Sequence, residues 1–82
     1  MKKIIRFTAS WCMPCQAMAK QLETLDIKIP IDVVDIDVYP EIAVEYGIRS
    51  VPTLVMVEEN NTILKRITGV KPPAELKEWI EK

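Results

Sequence analysis

The chain has no histidine and only two cysteines among its 82 residues. A structural zinc site usually draws four ligands from Cys, His, Asp and Glu. Two cysteines without histidine fall short, so a mononuclear site needs a second copy or borrowed carboxylates. Two cysteines are also too few for the disulfide framework of a small secreted domain. Charge of one sign is missing too. Eleven basic residues against twelve acidic ones give a net charge of −1. That balance supplies no electrostatic footprint for nucleic acid or an anionic membrane. Long apolar runs are absent. The opening M-K-K-I-I-R-F starts like a secretory leader, but Arg6 breaks the apolar run after two residues, well short of the roughly 7–15 a leader needs. No stretch approaches the ~20 apolar residues that span a bilayer. The expected location is cytoplasmic, with neither membrane nor nucleic acid as a partner.

The composition is that of a folded domain. Hydrophobic residues make up 49% and charged residues 28%, near the globular norm. The length predicts one domain over residues 1–82, burying somewhat more than ~60% of the surface its unfolded chain exposes. No repeat, linker or low-complexity stretch interrupts it.

Hydrophobic periodicity predicts seven elements. Lys3 to Thr8 is rich in β-branched and aromatic residues and reads as a strand. Cys15, Met18, Ala19, Leu22 and Leu25 follow at helical spacing, with Pro14 in the first turn, where its missing N–H costs nothing. Asp32 to Val38 is a second strand, so the first three elements form a βαβ unit. Pro40 opens a short helix over Glu41 to Tyr46, and Gly47 stops it. Thr53 to Glu58 and Thr62 to Thr68 are strands joined by the Glu59-Asn60-Asn61 turn. A last helix begins at Pro72-Pro73 and carries Leu76, Trp79 and Ile80 on its apolar face. The order β-α-β-α-β-β-α implies an α/β fold: a four-stranded mixed sheet flanked by helices.

The two cysteines stand in S-W-C-M-P-C, residues 10–15, at the strand-to-helix junction. Three chemistries compete there. As a staple, a disulfide three residues long constrains the unfolded chain little. As a metal site, two thiolates suit a copper carrier, but Pro14 stiffens the loop and Cys15 falls on the apolar stripe. As a redox pair the positions are well chosen. A helix N-terminus offers unpaired N–H groups and about half a positive charge. Cys12 lies there, so its thiol pKa is expected below the usual ~8.5, which makes it the attacking nucleophile. Cys15 lies one turn inward, less exposed and less acidic, placed to resolve a mixed disulfide at Cys12. C-x-x-C beside a βα junction favours this redox reading.

W-C-M-P-C resembles the W-C-G-P-C active site of the thioredoxin family. Tyr46 to Thr53, Y-G-I-R-S-V-P-T, is similar to that family's Y-G-I-R-x-I/V-P-T segment, and Gly69-Val70 stands where the family has a third loop. The resemblance covers nearly the whole chain and lacks only the extra N-terminal strand and helix of full-length members, which leaves the minimal core that glutaredoxins share. It implies a thioredoxin-like fold and a thiol–disulfide oxidoreductase that reduces protein disulfides. It implies a cis bond at Val51-Pro52 facing the cysteines, with substrate running as an added strand in a groove lined by Trp11, Met13, Pro14, Val51, Pro52, Gly69 and Val70. No bound cofactor is implied. Electrons would come from NADPH through thioredoxin reductase, or from glutathione if the chain is glutaredoxin-like. Pro14 before the second cysteine and Ser50 before Val51-Pro52 favour the thioredoxin side. Two further readings are a binding module in which the cysteines are incidental and a thiolate metal carrier. A monomer is sufficient for all of these.

The chain departs from the family at Arg6. Family members usually hold a buried Asp there, six residues before the first cysteine, paired with a Lys on the neighbouring strand; here the pair is Arg6 and Val33. A guanidinium cannot act as a base. Near the thiols its charge would lower their pKa and make the disulfide more oxidising. The alternative is that Arg6 points away and pairs with Asp35 or Asp37. Met13 in place of the family's Gly is the second departure. Trp11 is expected as a partly exposed platform rather than a core aromatic, Met18 and Leu22 as core, and Trp79 as an anchor for the last helix.

Overall fold

The computed structural model describes all residues, 1–82. Seven elements follow in the expected order: β1 (Lys3–Thr8), α1 (Met13–Thr24), β2 (Ile31–Asp35), α2 (Pro40–Glu45), β3 (Thr53–Val57), β4 (Ile63–Thr68) and α3 (Pro73–Glu81). The strands form one sheet in the order β2-β1-β3-β4. β1 runs parallel to β2 and antiparallel to β3, and β3 is antiparallel to β4. The sheet is therefore mixed, and its α/β class matches the reading from sequence.

Alternation along β1 divides its side chains between two cores. Ile4 joins Met18, Leu22, Leu54, Met56, Leu76 and Ile80, so α1 and α3 cover one face. Ile5 and Phe7 join Val34, Val55 and Val57 on the other face, where Ile42 and Tyr46 of the α2 region pack. The Phe7 and Tyr46 rings meet at 5.7 Å. All five residues of β3 are buried, which explains its unbroken apolar sequence. Trp79 is half-buried against the α1/α3 core, and its ring lies under the Lys65 ammonium.

Strand bounds shift by one residue at the start of β2, the end of β3 and the start of β4, and two features differ further from expectation. β2 stops at Asp35 rather than Val38. Ile36 N–H makes a last bond to Thr8 O, after which Val38 and Tyr39 N–H both turn back to Asp35 O. The Asp35 carboxylate accepts from Asp37 N–H at 2.8 Å, closing a side-chain turn that ends the strand. In the β3–β4 hairpin the register shifts between Met56 and Val57, leaving Leu64 out of the ladder. Asn61, at φ 65°, takes the left-handed position that an asparagine tolerates in the turn.

Candidate active site

The site begins where β1 ends. Ala9 O accepts from Cys12 N–H at 3.1 Å, a tight turn that delivers Cys12 to the N-cap of α1. An N-cap side chain normally accepts from the third helical residue. Cys12 fills that role with sulfur: its Sγ accepts from Cys15 N–H at 3.1 Å. Pro14, with no N–H, occupies the first turn. The sequence thus places one sulfur on the helix axis and the second, one turn in, on the face that packs against the sheet.

Cys12 and Cys15 are joined as a disulfide with Cα atoms 5.2 Å apart. Both are buried, Cys12 at 4% exposed and Cys15 at 0%. The asymmetry in exposure is thus smaller than the sequence suggested. What distinguishes the two is the helix terminus, which acts on Cys12. The pair forms a small cluster with Ala9, and Ile36 and Val51 pack against it.

Val51 lies just before β3, whose first residue pairs with Phe7 near the end of β1. The Val51-Pro52 bond is cis, and Pro52 is fully buried. Gly69 N–H donates to Pro52 O at 2.9 Å, so the start of the third loop is tied to the proline. Gly69 sits at φ 83°, a conformation that suits a residue without Cβ. Thr53 Oγ1 donates to Ser50 O at 2.7 Å. The N–H and C=O of Val51 itself take part in no bond within the chain, so a main-chain donor and acceptor stand open beside the disulfide.

Around the cysteines the surface is apolar and open. Trp11 is 65% exposed and Met13 69%, with Pro14, Val38, Tyr39 and Val70 also exposed. Trp11 is a platform held by one polar tether: its Nε1 donates to Asp37 Oδ2 at 2.8 Å. None of the chain's cavities is lined by either cysteine. No group of three or more His, Cys, Asp or Glu side chains is placed to hold a metal ion.

The structure brings Cys12, Cys15 and Val51 into one cluster and ties Pro52 to Gly69. Arg6 lies elsewhere. It lines a groove of about 340 Å³ with Ala19, Leu22, Glu23, Ile31 and Val33. Burial lowers its pKa, and the charge of Glu23 partly offsets that. The acid acting on Arg6 is therefore Glu23, not the Asp35 or Asp37 considered from sequence. Those two carboxylates accept instead from Asp37 N–H and Trp11 Nε1. Ala9, Ile36 and Asp37 were not singled out as site residues. Asp37 is 26 positions from Trp11, and only the parallel β1–β2 pairing carries it there.

Comparison with known proteins agrees with this geometry. The family model described as Thioredoxin matches residues 1–82. The thioredoxin-like protein slr0233 of Synechocystis sp. is 40% identical over 77 residues, covering 89% of this chain and 72% of that protein. The thioredoxin of Bacillus subtilis is 36% identical over 80 residues, covering 93% of this chain and 76% of its own length. Among solved structures, a mutant thioredoxin from Halobacterium salinarum superposes with a TM-score of 0.88 at 32% identity, over 98% of this chain and 72% of the other.

Proposed function

The chain belongs to the thioredoxin family and is a thiol–disulfide oxidoreductase, and from that premise we propose how its residues divide the work. Cys12 is the nucleophile. Its thiolate attacks one sulfur of a substrate disulfide, forms a mixed disulfide and expels the other sulfur as a thiolate. Cys15 then loses its proton and attacks Cys12 Sγ. The Cys12–Cys15 bond forms, the mixed disulfide breaks, and the substrate leaves as a dithiol. Two electrons and two protons have passed to the substrate. The order follows from place: the N-cap stabilises negative charge on Cys12, while Cys15 is enclosed and reaches only its neighbour.

The observation that carries this reading is the open Val51 main chain packed against the disulfide cluster. An extended substrate can bond to it as an added strand, which reads shape and main chain more than side-chain identity. Trp11, Met13, Pro14 and Val70 supply the surrounding apolar surface, and Pro52 and Gly69 fix its floor. An open platform of this kind suits a disulfide on a protein. No resident cofactor is needed. NADPH electrons reach the pair through a thioredoxin reductase, and the domain works over residues 1–82 as a monomer in the cytoplasm, where such a couple is kept reduced. The comparisons retrieve thioredoxins and give the glutathione-dependent alternative no added support.

The test is turnover of insulin disulfides, with NADPH plus thioredoxin reductase compared against glutathione plus its reductase. Turnover is expected with the first system and lost in Cys12→Ser. Full activity in Cys12→Ser would remove the redox role altogether. Faster turnover with glutathione would select the glutaredoxin-like alternative.

A further inference from the structure

The loop that presents Val51 has little holding it from within. Between Gly47 and Pro52, Ile48 N–H reaches back to Ala43 O, and Ser50 O accepts from Thr53 Oγ1. Neither N–H nor C=O of Arg49 or Val51 bonds to the chain's backbone. Ile48 and Val51 pack their side chains against the sheet, and the alignment of the main chain between them depends on how the two ends of the segment are fixed.

Both ends are fixed by the same strand. At the far end, Gly69 N–H, just beyond β4, donates to Pro52 O. At the near end the donor is Arg66, which pairs with Val55 in the ladder and so faces the α2 side of the sheet. Its Nη2 donates to Tyr46 O at 3.0 Å, and Nη1 lies 3.5 Å from Gly47 O. Tyr46 is the C-cap of α2, and Gly47 follows at φ 67°. Carbonyls at a helix C-terminus lack intrahelical donors and carry the negative end of the helix dipole. A planar guanidinium can span two of them and supply the positive charge the terminus favours. Bonded at its other end to Val55, β4 sets the distance between the loop's two anchors.

We propose that Arg66 is a positioning residue for substrate capture: its fork on Tyr46 O and Gly47 O holds the 47–52 loop so that the Val51 main chain faces an incoming strand. The proposal rests on the Val51 pairing put forward above. Arg66 touches neither cysteine, so the exchange chemistry is not expected to depend on it.

The experiment compares two substrates in wild type, Arg66→Ala and Arg66→Lys. Insulin needs the Val51 main chain; 5,5′-dithiobis(2-nitrobenzoate), a small disulfide, needs only Cys12. For Arg66→Ala, kcat/KM on insulin is expected to fall about tenfold, mostly through KM, as a displaced positioning element does. The rate with the small disulfide stays at the wild-type value. Arg66→Lys keeps the charge but not the fork and falls between the two. If Arg66→Ala does not fold at the assay temperature, Arg66→Lys is read by the same ratio of substrates. A purely structural role lowers both rates together through the folded fraction, and that result overturns the proposal, as does an unchanged insulin KM. Wild type inactive on insulin but active on the small disulfide refutes the Val51 reading itself, a different result from wild type active and Arg66→Ala unchanged.

Discussion

On the division of work proposed above, the reaction depends on the thiolate of Cys12, and the N-cap geometry sets the direction of its acidity. In Cys15→Ser only one thiol remains to titrate. The sulfur keeps its place on the helix axis and its bond from the backbone N–H of residue 15, 3.1 Å away in the parent chain. A hydrogen bond to a charged group contributes about 1.5–3 kcal/mol, and a helix terminus adds about 0.3–1 kcal/mol. Partial compensation by water lost at a buried sulfur, 4% exposed, works against both, since burial raises a thiol pKa. The hydrogen bond and the helix terminus together outweigh the burial, so the thiol is expected below its usual ~8.5. The sign for reactivity is direct. Below the pKa the nucleophile is protonated and the rate drops tenfold per pH unit; above it the rate levels off. At neutral pH the same shift stabilises the reduced protein, which makes the couple more oxidising than one with an unperturbed thiol. Thiolate absorbance near 240 nm, followed against pH in Cys15→Ser, gives the pKa, and the pH profile of alkylation by iodoacetamide gives it independently. A value at or above about 8 by both methods would refute the helix-terminus argument and, with it, the assignment of Cys12 as attacker.

Four other substitutions, at three positions, test separate parts of the structure. Arg6→Ala removes a half-buried positive charge and is expected to raise the Cys12 pKa only slightly, because Arg6 lines a separate groove and Glu23 offsets part of its field; an unmoved pKa in the same titration ends the redox-tuning role of Arg6. The Arg6 guanidinium pKa is itself lowered by burial, so the charged form is disfavoured by folding. Arg6→Met, which removes that cost, is expected to hold or raise the unfolding free energy measured in urea, and a fall of more than about 1 kcal/mol would contradict it. Asp37→Asn weakens the acceptor for Trp11 Nε1; the indole is expected to gain mobility, seen as lower fluorescence anisotropy in a Trp79→Phe background, with KM for insulin rising severalfold and the reaction with a small disulfide unchanged. Met18→Ala empties a fully buried position between α1 and the sheet; the expected loss is about 2–5 kcal/mol, or roughly 10–25 °C in Tm for a domain of this size, measured by calorimetry on the oxidised protein.

The sequence by itself determined the elements and the chemistry. Each strand and helix was legible because its apolar period is local: β3 is an unbroken run since both its faces are covered, and α1 shows its stripe from Cys15 to Leu25. The redox role was legible for the same reason. The N-cap, the proline in the first turn and the sulfur one turn inward lie within four consecutive residues, so no long-range contact is needed to place them. What only the tertiary structure decided are the partners across the sheet. The end of β2 at Asp35 depends on a side-chain turn that an alternating D-V-V-D-I-D-V run conceals. Asp37 meets Trp11 because parallel pairing brings the ends of β1 and β2 together. Arg6 feels Glu23 because alternation along β1 puts it on the face that α1 covers, where both line one groove, while the Asp35 and Asp37 carboxylates are taken up in the turn that ends β2. Arg66 reaches Tyr46 and Gly47 because β4 lies beside β3 with that side chain over α2. Local periodicity fixes which face a residue occupies; the choice of neighbour on that face belongs to sheet order and register, which no short stretch of sequence contains.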